Sequence, residues 1–389
     1  MQLTKTLLRV DFGLKTELPA DRLCPPVPNR HNYILWLKDL LDTTSYQKPG
    51  RRLAGLDIGT GASCIYPLLG CTQRPWFFVA TDIDQKSLAY ARKNVQLNNL
   101  ENRIRILPRA ATDALIPLDD LDVESIDFVM TNPPFYESEK EMIASAELKA
   151  RPPHSACTGA AVEMVCEGGE VAFVGRILAE SLKLRDRVQW YTSMLGKASS
   201  LDALVDQLRE KGLDNYAVTE FVQGNKTRRW AVAWSFGPMR PSQDVARGVT
   251  SPAWKKILPP AVEYIMGDGP ANDIGTFAAK IDATMQSLEL LSWQWDKQGL
   301  TGVGRARENV WSRAWRRRKL REKDNSAGSA AEKSDDEEAC SFGFMITVTV
   351  GLKETTTACR WVEGHDEVIF TSFCGFLKTQ LGGFIRQGP

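Results

Sequence analysis

Asn132-Pro133-Pro134-Phe135 puts an amide side chain, two residues without a backbone N–H and a flat aromatic ring into four consecutive positions. Asp127-Phe128-Val129-Met130, directly upstream, reads as a strand, so the tetrad falls at the carboxyl edge of a sheet, where open α/β folds bind ligands. The Asn132 side-chain oxygen and the Pro133 carbonyl are two acceptors, and the prolines fix the backbone that carries them. Aimed at the two N–H bonds of a conjugated amine such as that of adenine, they orient it and help to localise its lone pair. Phe135 adds a face on which an extruded base stacks. A sulfonium methyl donor needs no general base of shifted pKa to react with a nitrogen so held, and alignment supplies most of the rate. Asn132, Pro133, Pro134 and Phe135 are therefore candidate catalytic residues for methyl transfer to nitrogen. The plainer alternative is a Pro-Pro turn that closes a strand, with Phe135 in the core.

A second constellation lies upstream. Asp57-Ile58-Gly59-Thr60-Gly61 follows a strand, and its two glycines let the backbone turn tightly and approach a ligand. Cys64 stands where the dinucleotide fingerprint has its third glycine, and Pro67 is expected to disturb the next helix, so a pyrophosphate on a helix N-terminus fits poorly and NAD is disfavoured. Asp82 ends the second strand, 25 residues after Asp57, where a carboxylate can accept both hydroxyls of a ribose. Any ribonucleoside cofactor suits that arrangement.

The elements that must position these residues alternate between β-type and helix-type runs from Leu53 to Gln223, the pattern of a mostly parallel sheet with helices on both faces. Strands are predicted at Leu53 to Ile58, Trp76 to Thr81, Arg103 to Leu107, Ile126 to Met130 and Val188 to Leu195. Asp84 caps a helix to about Asn98, another runs from about Glu170 to Lys183, and a third starts at Ser199 or Ser200 and stops at Gly212. Tyr216 to Val222 and Arg229 to Phe236, joined by Gln223-Gly224-Asn225-Lys226, read as an antiparallel hairpin. Residues 237 to 252, rich in Pro, Gly and Ser, read as a linker. The domain boundaries are then 1–240, a linker over 241–252, and 253–389. The second domain reads as a small α+β module: a helix around Trp254 to Met266, apolar alternation through Leu288 to Trp295, a basic helix from about Arg305 to Leu320, strands at Phe342 to Val350 and Ala358 to Val362, and a helix from about Glu367 to Phe384. Residues 324 to 338 are polar and acidic and are expected to be a disordered insert.

At 389 residues the chain exceeds the roughly 250 to 300 at which one core stops growing, so two domains are the default. Lys plus Arg (49) nearly balances Asp plus Glu (48), so charge has to be read locally. Nine basic residues between Arg305 and Lys323 face only Glu308 and Glu322, which marks Arg313, Arg316, Arg317, Arg318 and Lys319 as candidate phosphate contacts, with Trp311 and Trp315 anchoring their helix. Arg316-Arg317-Arg318-Lys319 also reads as a nuclear localisation signal. Lys226, Arg228 and Arg229 at the hairpin, with Arg151 and His154 beside Pro152-Pro153, are further candidates for holding nucleic acid. Eight cysteines without C-x-x-C spacing and three histidines suggest neither a zinc site nor a disulfide framework. No stretch approaches the ~18 apolar residues of a membrane span, so no membrane partner is expected.

The run from Leu56-Asp57-Ile58-Gly59-Thr60-Gly61-Ala62-Ser63-Cys64 to Gly70, together with the Asn132 tetrad, closely resembles the methyltransferase-like protein 16 family. The likeness continues through Asp11-Phe12-Gly13-Leu14, Asn32-Tyr33-Ile34, Glu167-Gly168-Gly169-Glu170, Trp190-Tyr191, Met194-Leu195-Gly196-Lys197, Thr219-Glu220-Phe221 and Arg229-Trp230-Ala231 to Trp234-Ser235-Phe236. The resemblance implies a class I, Rossmann-like α/β methyltransferase that uses S-adenosylmethionine to methylate N6 of adenosine in U6 small nuclear RNA. It also implies a structured-RNA partner, no metal, a monomer, and a nuclear location with a cytoplasmic pool open. Carried over by position, Arg30, Asp57, Gly59, Gly61, Ser63, Asp82 and Asn132 become cofactor-binding candidates, Arg30 as partner of the cofactor carboxylate. The chain departs from the family at Tyr136, where Phe is expected, and in the loop from Glu137 to Lys149. Family members carry a further segment upstream that helps to form the RNA groove. Arg360-Trp361-Val362-Glu363-Gly364 and the basic helix resemble the family's C-terminal α+β RNA-binding domain. Alternatives are a ribosomal RNA adenine-N6 methyltransferase, a protein glutamine methyltransferase, and a non-catalytic RNA-binding scaffold.

Overall fold

The computed structural model of the chain describes residues 1–147, 159–223, 227–269, 273–325, 340–351 and 355–382. They divide into two compact units: Met1–Gly237 with Asp244–Pro259, and Pro238–Gln243 with Pro260–Pro389.

The first unit opens with α1 (Gln2–Phe12), ended by Gly13 at φ 68°, where a residue without Cβ turns the chain left-handed at no steric cost. After α2 (Val27–Thr43) come β1 (Ala54–Ile58), α3 (Ile65–Gln73), β2 (Phe77–Asp82), α4 (Gln85–Leu97), β3 (Ile104–Pro108) and β4 (Ile126–Thr131). Then follow α5 (Glu139–Glu147), α6 (Ala161–Met164), α7 (Gly169–Leu184), β5 (Val188–Leu195), α8 (Ala198–Glu210), β6 (Tyr216–Gln223) and β7 (Thr227–Trp234). After a short α9 (Gln243–Ala246), β8 (Arg247–Gly248) closes the set. The strands form one sheet in the order β3-β2-β1-β4-β5-β7-β6-β8. It is parallel from β3 to β5 and antiparallel where β7 joins β5 and β6, as expected of a doubly wound sheet with a terminal hairpin. Leu37, Leu40, Leu68 and Phe128 pack one apolar cluster. Val129, Ile177, Leu204 and Trp234 pack the other, so the sheet is buried on both faces.

The five expected parallel strands fall within a residue of those observed, whereas β7, expected at Arg229 to Phe236, begins and ends two residues earlier. Asp84 caps α4 as expected, its carboxylate accepting the Ser87 N–H. Two local expectations need correction. Helix α8 starts at Ala198 after Lys197, and Ser200 is buried in its first turn instead of capping it. Pro67 does not disturb α3: it sits in the first turn, where its missing N–H has no intrahelical partner to lose.

Residues 237 to 252 are not a plain linker. The Arg240 N–H donates to the Val362 carbonyl in the second unit, whereas Arg247 and Gly248 add β8 beside Val218 and Thr219 in the first. Three changes of unit along 237–260 thus replace one crossing.

The second unit comprises β9 (Glu263–Gly269), α10 (Ile274–Gln286), β10 (Ser292–Asp296), β11 (Thr301–Ala306), α11 (Arg313–Asn325), β12 (Phe342–Val350), β13 (Thr355–Glu363) and α12 (Glu367–Leu381). Its antiparallel sheet has the order β10-β11-β12-β13-β9. Phe277 and Ile281 of α10 and Phe373 and Leu377 of α12 pack with Phe344 and Trp361 in its core. The helix expected at Trp254 to Met266 is instead a 3-10 turn, Pro252–Ile257, followed by β9, since Pro259 and Pro260 cannot continue a helix. The basic helix begins at Arg313, because Arg305 belongs to β11 and pairs with Glu363. Trp311 therefore precedes that helix; it is buried against Phe342 and Phe373. Of the expected insert 324 to 338, Asp324 and Asn325 end α11 and the rest lies outside the described residues.

Candidate active site

At the carboxyl edge of β1, β2 and β4 lies a cavity of ≈ 310 Å³, lined by Arg30, Gly59, Gly61, Ser63, Asp82 and Asn132 among others. The glycine turn and the tetrad are thus brought to one place. Gly59 and Gly61 have φ of 72° and 64°, a region that L side chains rarely adopt, so the turn requires glycine at both. The Asp82 carboxylate fixes the turn: Oδ2 accepts the Gly61 N–H at 2.8 Å and Oδ1 accepts the Asp84 N–H at 2.9 Å. The carboxylate as a whole keeps lone-pair capacity for a further donor. Burial pushes the Asp82 carboxyl up, and these backbone bonds offset part of that rise.

Asp57 stands behind the turn, fully buried, and neither carboxylate oxygen makes a hydrogen bond of good geometry. Desolvation raises its pKa to about 7; nearby Thr60 and Arg30 lower it only in part, and Asp82 raises it further.

Arg30, buried on α2, donates from Nη1 to Asn132 Oδ1 at 2.6 Å and to the Tyr66 hydroxyl at 2.9 Å. The acceptor assigned to the incoming amine is therefore already engaged, a link that sequence reasoning missed. Asn132 and Pro134 line the cavity, whereas Pro133 is buried beneath them and Phe135 stands to the side. The tetrad is anchored beyond its end, where the Tyr136 N–H donates to the Met164 carbonyl and Tyr136 O accepts from the Cys166 N–H, both at 3.0 Å.

Glu163 was also missed. Its Oε2 accepts the Leu23 and Ala160 N–H groups, each at 2.9 Å, tying two loops that line the cavity, and a Cβ built on Gly61 would lie 3.8 Å from Oε1. Burial raises its pKa. The S/T-x-x-E spacing that signals such a reach-back bond is lost here because Ala160 occupies the cap position.

Of the candidate nucleic-acid contacts, Arg229 holds its guanidinium carbon 5.7 Å from the Phe135 ring centroid, whereas exposed Arg228 pairs with Glu220 at 2.9 Å. Lys226, Arg151 and His154 lie outside the described residues. In the second unit, Arg313, Arg316 and Arg317 are exposed on α11; Arg318 pairs with Glu308, and Lys319 pairs with Glu289 and lies over Trp315. No helix among the described residues is long and apolar enough to cross a membrane.

Residues 1–238 match a family described as RNA methyltransferase. Over 380 residues the chain is 40% identical to the U6 small nuclear RNA (adenine-(43)-N(6))-methyltransferase of Schizosaccharomyces pombe, covering 97% of this chain and 92% of that one. It is 47% identical over 239 residues to RNA N(6)-adenosine-methyltransferase METTL16 of Homo sapiens, covering 60% of this chain and 42% of the relative. Among solved structures, the hMettl16 catalytic domain in complex with MAT2A 3'UTR hairpin 1 aligns with a TM-score of 0.54 at 46% identity, covering 60% of this chain and 78% of that one.

Proposed function

The chain belongs to this RNA methyltransferase family, and from that premise we propose that it methylates N6 of an adenosine in U6 small nuclear RNA, with S-adenosylmethionine as donor, in the nucleus. One observation carries the reading: the cavity behind the glycine turn opens onto Asn132, so donor and acceptor sites meet at the tetrad. The residues present fit the cofactor. Asp82 retains lone-pair capacity for ribose hydroxyls, Gly59, Gly61 and Ser63 allow close backbone approach, and Arg30 offers a guanidinium to a carboxylate, with buried Asp57 behind the turn. When bound, S-adenosylmethionine supplies an electrophilic methyl group on sulfur.

The rest is done by the chain. Asn132 Oδ1 and the Pro133 carbonyl accept the two N–H bonds of the target amine and favour the positive charge that grows on nitrogen as the methyl group arrives. Phe135 takes the extruded base on its ring, and Arg229 beside it neutralises a neighbouring phosphate. Arg30, held by Asn132 and Tyr66, keeps the amide from rotating. The second unit supplies RNA affinity through α11, where Arg313, Arg316 and Arg317 are exposed. The matched family is described as RNA methyltransferase, which supports RNA over a glutamine side chain as acceptor.

The test is incubation of the chain with labelled S-adenosylmethionine and a U6-type RNA, followed by digestion to nucleosides. Label in N6-methyladenosine is the expected result. Label elsewhere, or bound RNA without label, overturns the reading.

A further inference from the structure

Glu170 and Gly196 lie outside the cavity lining, and the chemistry so far gives them no part. Glu170 is 2% exposed, at the N-terminus of α7. Its Oε2 accepts the Gly196 N–H at 2.7 Å and its Oε1 accepts the Lys197 N–H at 3.0 Å. Both carboxylate oxygens thus hold the backbone that leaves β5. Gly168 and Gly169, at φ 71° and 63°, bring this end of α7 under the tetrad: a Cβ on Gly169 would lie 3.7 Å from the Phe135 carbonyl oxygen. Gly196 is against the ring itself. A Cβ there would stand 2.8 Å from Phe135 Cδ1, 3.2 Å from Cε1 and 3.3 Å from Glu170 Oε2. The space a side chain would take is filled by the aromatic edge, so the Gly196 backbone sets where the ring can sit.

We propose that Glu170 and Gly196 are positioning residues for Phe135: the Glu170 carboxylate fixes the Gly196-Lys197 backbone, and bare Gly196 seats the ring at the tilt that aligns the acceptor base. The inference rests on Phe135 being the stacking platform. It assigns no contact with substrate to either residue; both act through the ring. A rigid seat matters because misplacement of about 1 Å at a reacting centre can cost on the order of 100-fold in rate.

The experiment measures kcat and KM for RNA, cofactor affinity and melting temperature for Gly196→Ala and Glu170→Gln, each in the parent chain and in a Phe135→Leu background. Stacking is read separately from the fluorescence of 2-aminopurine placed at the acceptor position. In the parent, Gly196→Ala is expected to lower kcat about 10-fold or more, with KM and cofactor affinity within about twofold. Glu170→Gln, which turns an amide N–H toward a backbone donor, shifts kcat in the same direction by less, and 2-aminopurine quenching falls in both. In the Phe135→Leu background either change alters kcat by less than about twofold, since effects carried by one shared group do not add. Parent-like kcat in both variants, or equal losses in both backgrounds, overturns the proposal. If Gly196→Ala fails to fold, Glu170→Gln and Glu170→Asp decide alone, with Asp expected between parent and Gln. A parent chain that makes no N6-methyladenosine defeats the stacking reading itself, and the inference falls with it.

Discussion

The carboxyl edge of the large sheet and the basic helix α11 both use arginine, in opposite ways. Arg30 is buried, with its Nη1 held by Asn132 and Tyr66; Arg313, Arg316 and Arg317 stand exposed along one helix. At the sheet edge a side chain is useful only in one orientation, so packing and hydrogen bonds over-determine it. On α11 the proposed partner is a repeating phosphate charge, which rewards cations free to adapt and needs no single geometry. The two regions should therefore respond to substitution in different observables.

Asn132→Ala gives the largest expected effect, a loss of about 1,000-fold in methyl transfer, comparable with removal of a key transition-state hydrogen-bonding group. RNA retention on a filter should change little, and a variant with parent-like turnover would dissolve the contrast. Next comes Asp57→Asn. The raised carboxyl pKa, about 7 against the ordinary 3.8, means that the folded chain keeps a proton that the unfolded chain releases. Stability is thus lost as pH rises between these two values, so the variant should gain on the parent by about 2–3 kcal/mol from pH 5 to pH 8. Paired thermal melts across that range check it; a constant difference means Asp57 stays charged in the fold. Replacing Arg313, Arg316 and Arg317 together by Ala should weaken RNA binding about 10-fold and flatten the slope of log affinity against log salt by about 2. Melting temperature should hold, and an unchanged salt slope would remove α11 from the RNA surface. The smallest effect is expected at Arg228→Ala, which removes an exposed guanidinium from the largely buried Glu220 carboxylate; the Thr250 hydroxyl still donates to that carboxylate, and stability should fall by less than about 1 kcal/mol. A larger loss in a melt would place that pair among the structural ones.

What the sequence revealed follows how far each feature reaches along the chain. The tetrad, the glycine turn and Asp82 are local patterns at strand ends, and the structure brings Asn132 and Pro134, the turn and Asp82 to one cavity. The Arg30–Asn132 bond spans 102 positions and Glu170–Gly196 spans 26, and no local pattern announces either. Strand β11 was hidden for a different reason. Gly302 and Gly304 replace the β-branched residues of an ordinary strand because Trp293 and Phe344 fill their places: a Cβ on them would lie 2.0 and 2.3 Å from those rings. The same glycines hide the end of that strand, so in sequence Arg305 merges with the basic run of α11. The excursion of residues 238 to 259 was equally hidden, since its Pro and Gly content reads as a linker whether or not the backbone pairs.

The bond between Arg30 and Asn132 has a thermodynamic consequence. In the mechanism proposed above one guanidinium serves both the cofactor carboxylate and the amide oxygen that meets the base. Whatever draws Arg30 toward one partner alters the acceptor strength left for the other. The donor and RNA sites are then linked functions, and reciprocity requires that each ligand change the affinity of the other by the same factor. That factor is measurable from two titrations of one ligand, with and without the other, and Arg30→Lys, which loses the planar fork, should bring it toward one.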